Sequence, residues 1–171
     1  MSGKPDKLKI ETYSYRDGHP ALLLCGKPVL AFVGMVVGTS EINKDVFMVA
    51  AQWNGFLRKH GWKERKPPLR TSVFVEDQFL KYKRACVSLS LVHGDQVGHV
   101  LLAFQGLFVR KEIDVAVLCV SGRETFNRVK ADLFWLDEVV TIPIWVVAVI
   151  PIESTVLKKS PAALSEGKAR N

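Results

Sequence analysis

The apolar positions along this chain change their period several times, and each change predicts a new element. IETYSY, residues 10–15, alternates and is rich in β-forming residues, and Asp17 and Gly18 supply a turn after it. It predicts a first strand or an edge strand. DVFMVAAQWNGFLRKH, residues 45–60, sets Val46, Val49, Trp53, Phe56 and Leu57 on one face at helical spacing. Asp45 is placed to cap that helix and Gly61 to end it. A short strand is predicted at 71–75. The stretch 84–92, RACVSLSLV, alternates apolar with small polar residues as a buried strand does. HVLLAFQGLFV, 99–109, returns to helical spacing with Val100, Phe104, Leu107 and Phe108 on one face, and DVAVLCV, 114–120, is a continuous apolar strand. Strand, helix and strand with short joints form a βαβ unit, which implies parallel pairing. A second amphipathic helix follows at 123–135, and a last buried strand at 142–150, punctuated by Pro143 and Pro151.

One apolar stretch does not declare its period. ALLLCGKPVLAFVGMVVG, residues 21–38, fits helix or strand, and its three glycines weaken the helix. Lys27 and Pro28 split it, leaving a clean part shorter than the ~18 residues a membrane span requires. It reads as packed apolar chain, in a core or in an interface. With 48% hydrophobic and 24% charged residues the chain is globular. No repeat or linker divides it. One α/β domain is expected over 1–152, with a flexible basic tail over 153–171.

Charge narrows the choice of partner. The formal net charge is +7 and the isoelectric point about 9.4. This favours a polyanion, nucleic acid before membrane, because no basic amphipathic surface helix stands out; solubility is the competing explanation. Cys25, Cys86 and Cys119 are odd in number, far apart and set in apolar runs, with no CxxC and no zinc spacing. They predict buried free thiols and a reducing cytoplasm. His19, His60, His93 and His99 form no HExxH pattern, the polar opening is no secretory signal, and no Gly-rich phosphate loop occurs.

Three stretches, IETYSYRDG, LRKHGWKER and HVLLAFQGLFVRKEIDVAV, resemble in this order the BglII- and BstYI-type restriction endonucleases, over about residues 10 to 152. The resemblance implies the PD-(D/E)xK fold, a mixed central sheet flanked by helices in a single domain. It also implies a homodimer, duplex DNA as partner, and Mg2+ for phosphodiester hydrolysis. Such enzymes hold the metal with an Asp at the beginning of a strand and a Glu-x-Gln pair further along it, all pointing into one cleft. Here Asp77 is the candidate for the Asp, and as a metal ligand, although it stands somewhat farther from Ser88 than the family's spacing. Ser88 and Ser90 occupy the places of the Glu-x-Gln pair.

A serine hydroxyl carries no charge and does not replace a carboxylate at a divalent cation. The resemblance therefore predicts a DNA-binding protein whose nuclease site is lost or rearranged. Its rivals are an active Mg2+-dependent endodeoxyribonuclease with a relocated carboxylate (Asp95, Glu112 or Asp114) and an inert protein-interaction module. The basic residues proposed for DNA are Lys63, Arg65, Lys66 and Arg70, on the connection after Trp62, and Lys81, Lys83 and Arg84 on the approach to the serine strand. The competing role of the first set is a solvated loop.

Overall fold

A computed structural model describes residues 7–39, 41–65, 79–91 and 97–152. The expected strand at 71–75 and the expected tail at 153–171 lie outside the described residues. In chain order the elements are β1 (Lys7–Tyr15), α1 (Gly18–Leu23), α2 (Lys27–Val37), β2 (Glu41–Asn43), α3 (Val46–Lys59) and β3 (Lys63–Glu64). Then follow β4 (Phe79–Tyr82), β5 (Ala85–Ser90), α4 (Val97–Val109), β6 (Val115–Ser121), α5 (Arg123–Trp135) and β7 (Ile144–Pro151).

The strands form one seven-stranded sheet in the order β2-β1-β7-β6-β5-β4-β3. β5, β6 and β7 run parallel to one another, and the remaining pairs are antiparallel. The parallel centre follows from two helical crossovers, α4 between β5 and β6 and α5 between β6 and β7. Being covered on both faces, β6 and β7 are continuous apolar runs, VAVLCVS and IWVVAVIP, buried along almost their whole length. Alternate residues feed two cores. Cys86, Ala116, Leu118, Val146 and Ala148 face Phe104, Leu107, Phe126 and Val129 of α4 and α5. Val87, Val117, Cys119, Trp145 and Val147 face Leu22, Phe32, Trp53 and Leu57 of α1, α2 and α3.

The ambiguous stretch at 21–38 is helical and belongs to the second core. Gly26, at φ 108°, stands before α2 and Gly38 after it, so only Gly34 lies inside the helix and the glycine count overstated the cost. Val29, Phe32, Val33 and Val36 are buried against the sheet. Among the described residues no helix is long and apolar enough to cross a membrane. The edge expectation for β1 is corrected: it lies inside the sheet, paired with β7 from Leu8↔Pro151 to Tyr15↔Ile144 and with β2 on its other side.

β1 ends in a left-handed turn at Arg16 (φ 47°) and Asp17 (φ 58°). Among the contacts that hold this turn, the Tyr15 hydroxyl donates to the Val140 carbonyl at 2.6 Å, Arg16 donates to the Asp137 carbonyl at 2.7 Å, and the His19 amide donates to Ser14 Oγ at 3.1 Å. Farther along β1, Glu11 pairs with Arg123 and Lys9. The Arg123 guanidinium above all holds its carboxyl down to about 2.

Candidate nucleic-acid interface

α3 and α4 end in the same kind of closure, and between them these ends build one basic corner. At the end of α3, Gly61 takes φ 85°, its amide donates to the Arg58 carbonyl at 3.1 Å and the Trp62 amide donates to Leu57 at 3.1 Å. At the end of α4, Lys111 takes φ 58°, its amide donates to Phe108 at 2.8 Å and the Glu112 amide donates to Leu107 at 2.9 Å. Both are Schellman closures, one on a glycine and one on a lysine. The first turns the chain through buried Trp62 into β3 at the sheet edge, and the second delivers Glu112 beside that edge.

At the edge, Lys63 lies directly opposite Lys81, and Lys81 directly opposite Cys86. Directly opposed residues share a face, so both lysines project to the α4 side. Arg65 follows two residues after Lys63, with its amide on the Phe79 carbonyl at 2.8 Å. Its side chain donates twice to Glu112 Oε2, from Nε at 3.1 Å and Nη2 at 2.7 Å. Arg110 meets the other oxygen, Nε to Oε1, at 3.3 Å. The Arg65 guanidinium, with help from Arg110 and Lys81, holds the Glu112 carboxyl below the usual range. Among the described residues neither Lys63 nor Lys81 has a carboxylate partner.

Lys83 and Arg84 form the β4–β5 turn, with Lys83 at φ 49°. This turn is at one end of the hairpin ladder and the Phe79↔Ser88 pair at the other, so the two residues do not approach the serines. Arg84 is committed elsewhere. It grips Asp114 through Nε and Nη2 and donates from Nη1 to the Lys111 carbonyl at 2.6 Å. The pair walls a cavity of about 430 Å³ with Ala21, Leu24, Cys25, Gly26 and Lys83. Arg84 in turn holds the Asp114 carboxyl low. Lys66, Arg70 and Asp77 lie outside the described residues, as do His93 and Asp95.

Ser88 and Ser90 are 0% and 1% exposed. They share the α4 face of β5 with Cys86 by alternation, and their hydroxyl oxygens are 2.7 Å apart, one donating to the other. A buried hydroxyl pair of this kind has little to offer a cation: it is neutral, and closed to water. Glu112 and Asp114 already neutralise arginines. Among the described residues no three His, Cys, Asp or Glu side chains gather as a metal site would require, and these serines do not fit Mg2+, which takes charged oxygen ligands and keeps several waters. Removing one partner of the serine pair strands the other hydroxyl in the core. Ser88→Ala is therefore expected to cost about 1–3 kcal/mol, and Ser88→Ala with Ser90→Ala clearly less than the sum of the single changes. Urea denaturation of the three variants measures this, and strictly additive costs would mean that the bond is not made.

The sheet order, the two parallel crossovers and the layered helices define a restriction-endonuclease-like fold. A particular solved structure to which it is similar is the restriction endonuclease BglII complexed with a DNA 16-mer. The TM-score is 0.54 at 15% identity, over 85% of this chain and 79% of that one. No family model matches the chain, and no curated protein matches it either.

Sequence reasoning named Lys63, Arg65 and Lys81 but missed that Glu112 joins Arg65 to Arg110. The two arginines are far apart in sequence, and no local pattern announces a contact made across a sheet edge.

Proposed function

We propose that the protein binds duplex DNA through the β3–β4 edge of its restriction-endonuclease-like fold, and that its nuclease site is lost. The observation that carries this reading is the Lys63–Lys81 pair, directly opposed on one face and, among the described residues, without a carboxylate in salt-bridge contact. Like charges so placed destabilise a sheet, and a polyanion laid across them removes the penalty. The net charge of +7 favours the same class of partner, and the similarity to an endonuclease solved with DNA supports DNA as that polyanion. Loss of catalysis is supported by the Ser88–Ser90 pair, neutral and bonded to itself where the resemblance expects metal ligands. Binding on this reading needs no Mg2+.

We keep the homodimer that the resemblance implies. The uncharged outward stripe of α4, with Leu102 and Val109 exposed, is one surface that suits it. The three free thiols suit a reducing cytoplasm.

The test is retardation of mixed-sequence duplex DNA in a gel, run from about 50 to 200 mM salt. Retardation is expected at the low end and a steep loss toward the high end. The same DNA is expected to stay intact in Mg2+ or Mn2+. No retardation at low salt would remove the DNA reading in favour of a protein-interaction module. Reproducible cutting that Asp77→Ala abolishes would show the nuclease site to be present.

A further inference from the structure

Among the described residues the charges in the corner do not balance. Arg65 and Arg110 pair with one carboxylate, Glu112, while Lys63 and Lys81 stand opposed on the neighbouring strands. A cluster that served stability alone would pair its charges, yet here two lysines oppose each other and a single acid bridges two arginines from different elements. That acid stands on a backbone fixed by the α4 closure, and Arg65 on a backbone fixed to Phe79. Glu112 uses Arg65 Nε and Nη2 and Arg110 Nε, which leaves Arg65 Nη1 and both Arg110 Nη groups without a partner among the described residues. These free N–H groups belong to guanidinium planes oriented by one shared anion. Oriented guanidinium donors suit the oxygens of a phosphate.

We infer that Glu112 is the positioning residue of a phosphate-binding site made by Arg65, Arg110, Lys63 and Lys81, and that the ligand is a backbone phosphate of the bound duplex. The inference rests on the DNA reading above and adds to it a role for an acid in a basic surface. Glu112 touches no phosphate itself. It sets the two guanidinium groups at a fixed spacing, so that less freedom is lost when the phosphate arrives.

Charge counting and positioning predict opposite results for E112Q. Removing a negative charge from a basic surface should tighten DNA binding and steepen its salt dependence. A positioning role makes E112Q about tenfold weaker than wild type, with a shallower salt slope, because the arginines no longer engage together. R65K keeps the charge and loses the fork, and is also expected to bind about tenfold more weakly. The double variant should be no weaker than the weaker single one. Affinities are read by fluorescence anisotropy on a labelled duplex, with thermal melts of each variant beside them. Wild-type protein that binds while E112Q binds as tightly or more tightly overturns the positioning role and leaves the DNA reading standing. Wild-type protein that does not bind overturns both. Should E112Q fail to fold, R65K decides: binding equal to wild type sinks the site, and weakened binding by a folded protein supports it.

Discussion

A Gly18→Ala variant is expected to lose at least about 3 kcal/mol of stability, a large part of what a domain of this size holds. A Cβ at position 18 would stand 2.1 Å from the Ile144 carbonyl carbon, 2.3 Å from its oxygen and 2.6 Å from the Trp145 nitrogen. All three are main-chain atoms of β7, which is fastened to β1 and β6 on its two sides. No flexible side chain is available to yield. Relief would require α1 to lift from the sheet, which also separates His19 from Trp145, whose rings are 5.1 Å apart. Gly34→Ala is the control. Position 34 sits inside α2 with nothing within 4 Å of a new Cβ, so alanine there should be neutral or add up to about 1 kcal/mol. Urea midpoints compare the two, and a wild-type midpoint for Gly18→Ala would mean that α1 does not rest on β7.

The second large effect concerns binding. Replacing Lys63 and Lys81 together by glutamine is expected to weaken binding to duplex DNA about 100-fold, roughly tenfold for each lysine, and to lower the salt slope by about two. Glutamine keeps much of the aliphatic stem of each residue, so the packing of half-buried Lys81 is largely retained. Stability should stay level or rise, because a directly opposed like-charge pair has gone. Loss of affinity with no loss of stability is the informative combination. Lys7→Gln with Lys9→Gln removes the same formal charge from residues already paired with Glu41 and Glu11. An equal loss of binding in that variant would assign the effect to net charge and leave the β3–β4 edge without a special role.

Much of the fold was legible where periodicity and burial agree. α5 matches its expected bounds, α3 matches to within its caps, and Asp45 accepts the Met48 amide at 2.8 Å as a cap should. β6 and β7 read as strands because burial on both faces makes them uniformly apolar. The segment at 21–38 was illegible for the opposite reason: uniform apolarity hides a period, and glycines at helix ends count the same in a sequence as glycines inside. The position of β1 was also hidden, since its alternation says that two faces differ and nothing about which strands lie beside it. At the candidate site the basic residues were visible as a cluster on the connection after Trp62. Their division was not. Whether a lysine faces α4 or ends in a turn depends on register, and register placed Lys81 with Lys63 while sending Arg84 to Asp114.

The pairing of β1 with β7 also shapes how the chain is made. The first strand described takes as its main neighbour the last strand described, after about 130 intervening residues, a closure with a substantial entropy cost. At roughly 5–20 residues per second, β1 waits about 7 to 25 seconds for that neighbour. In the interval β2 is the only one of its two sheet neighbours yet synthesised, through three residue pairs. The nascent protein therefore carries an open strand edge until β7 has been made, and a ribosome that stalls before residue 144 leaves a chain lacking an inner strand of its sheet.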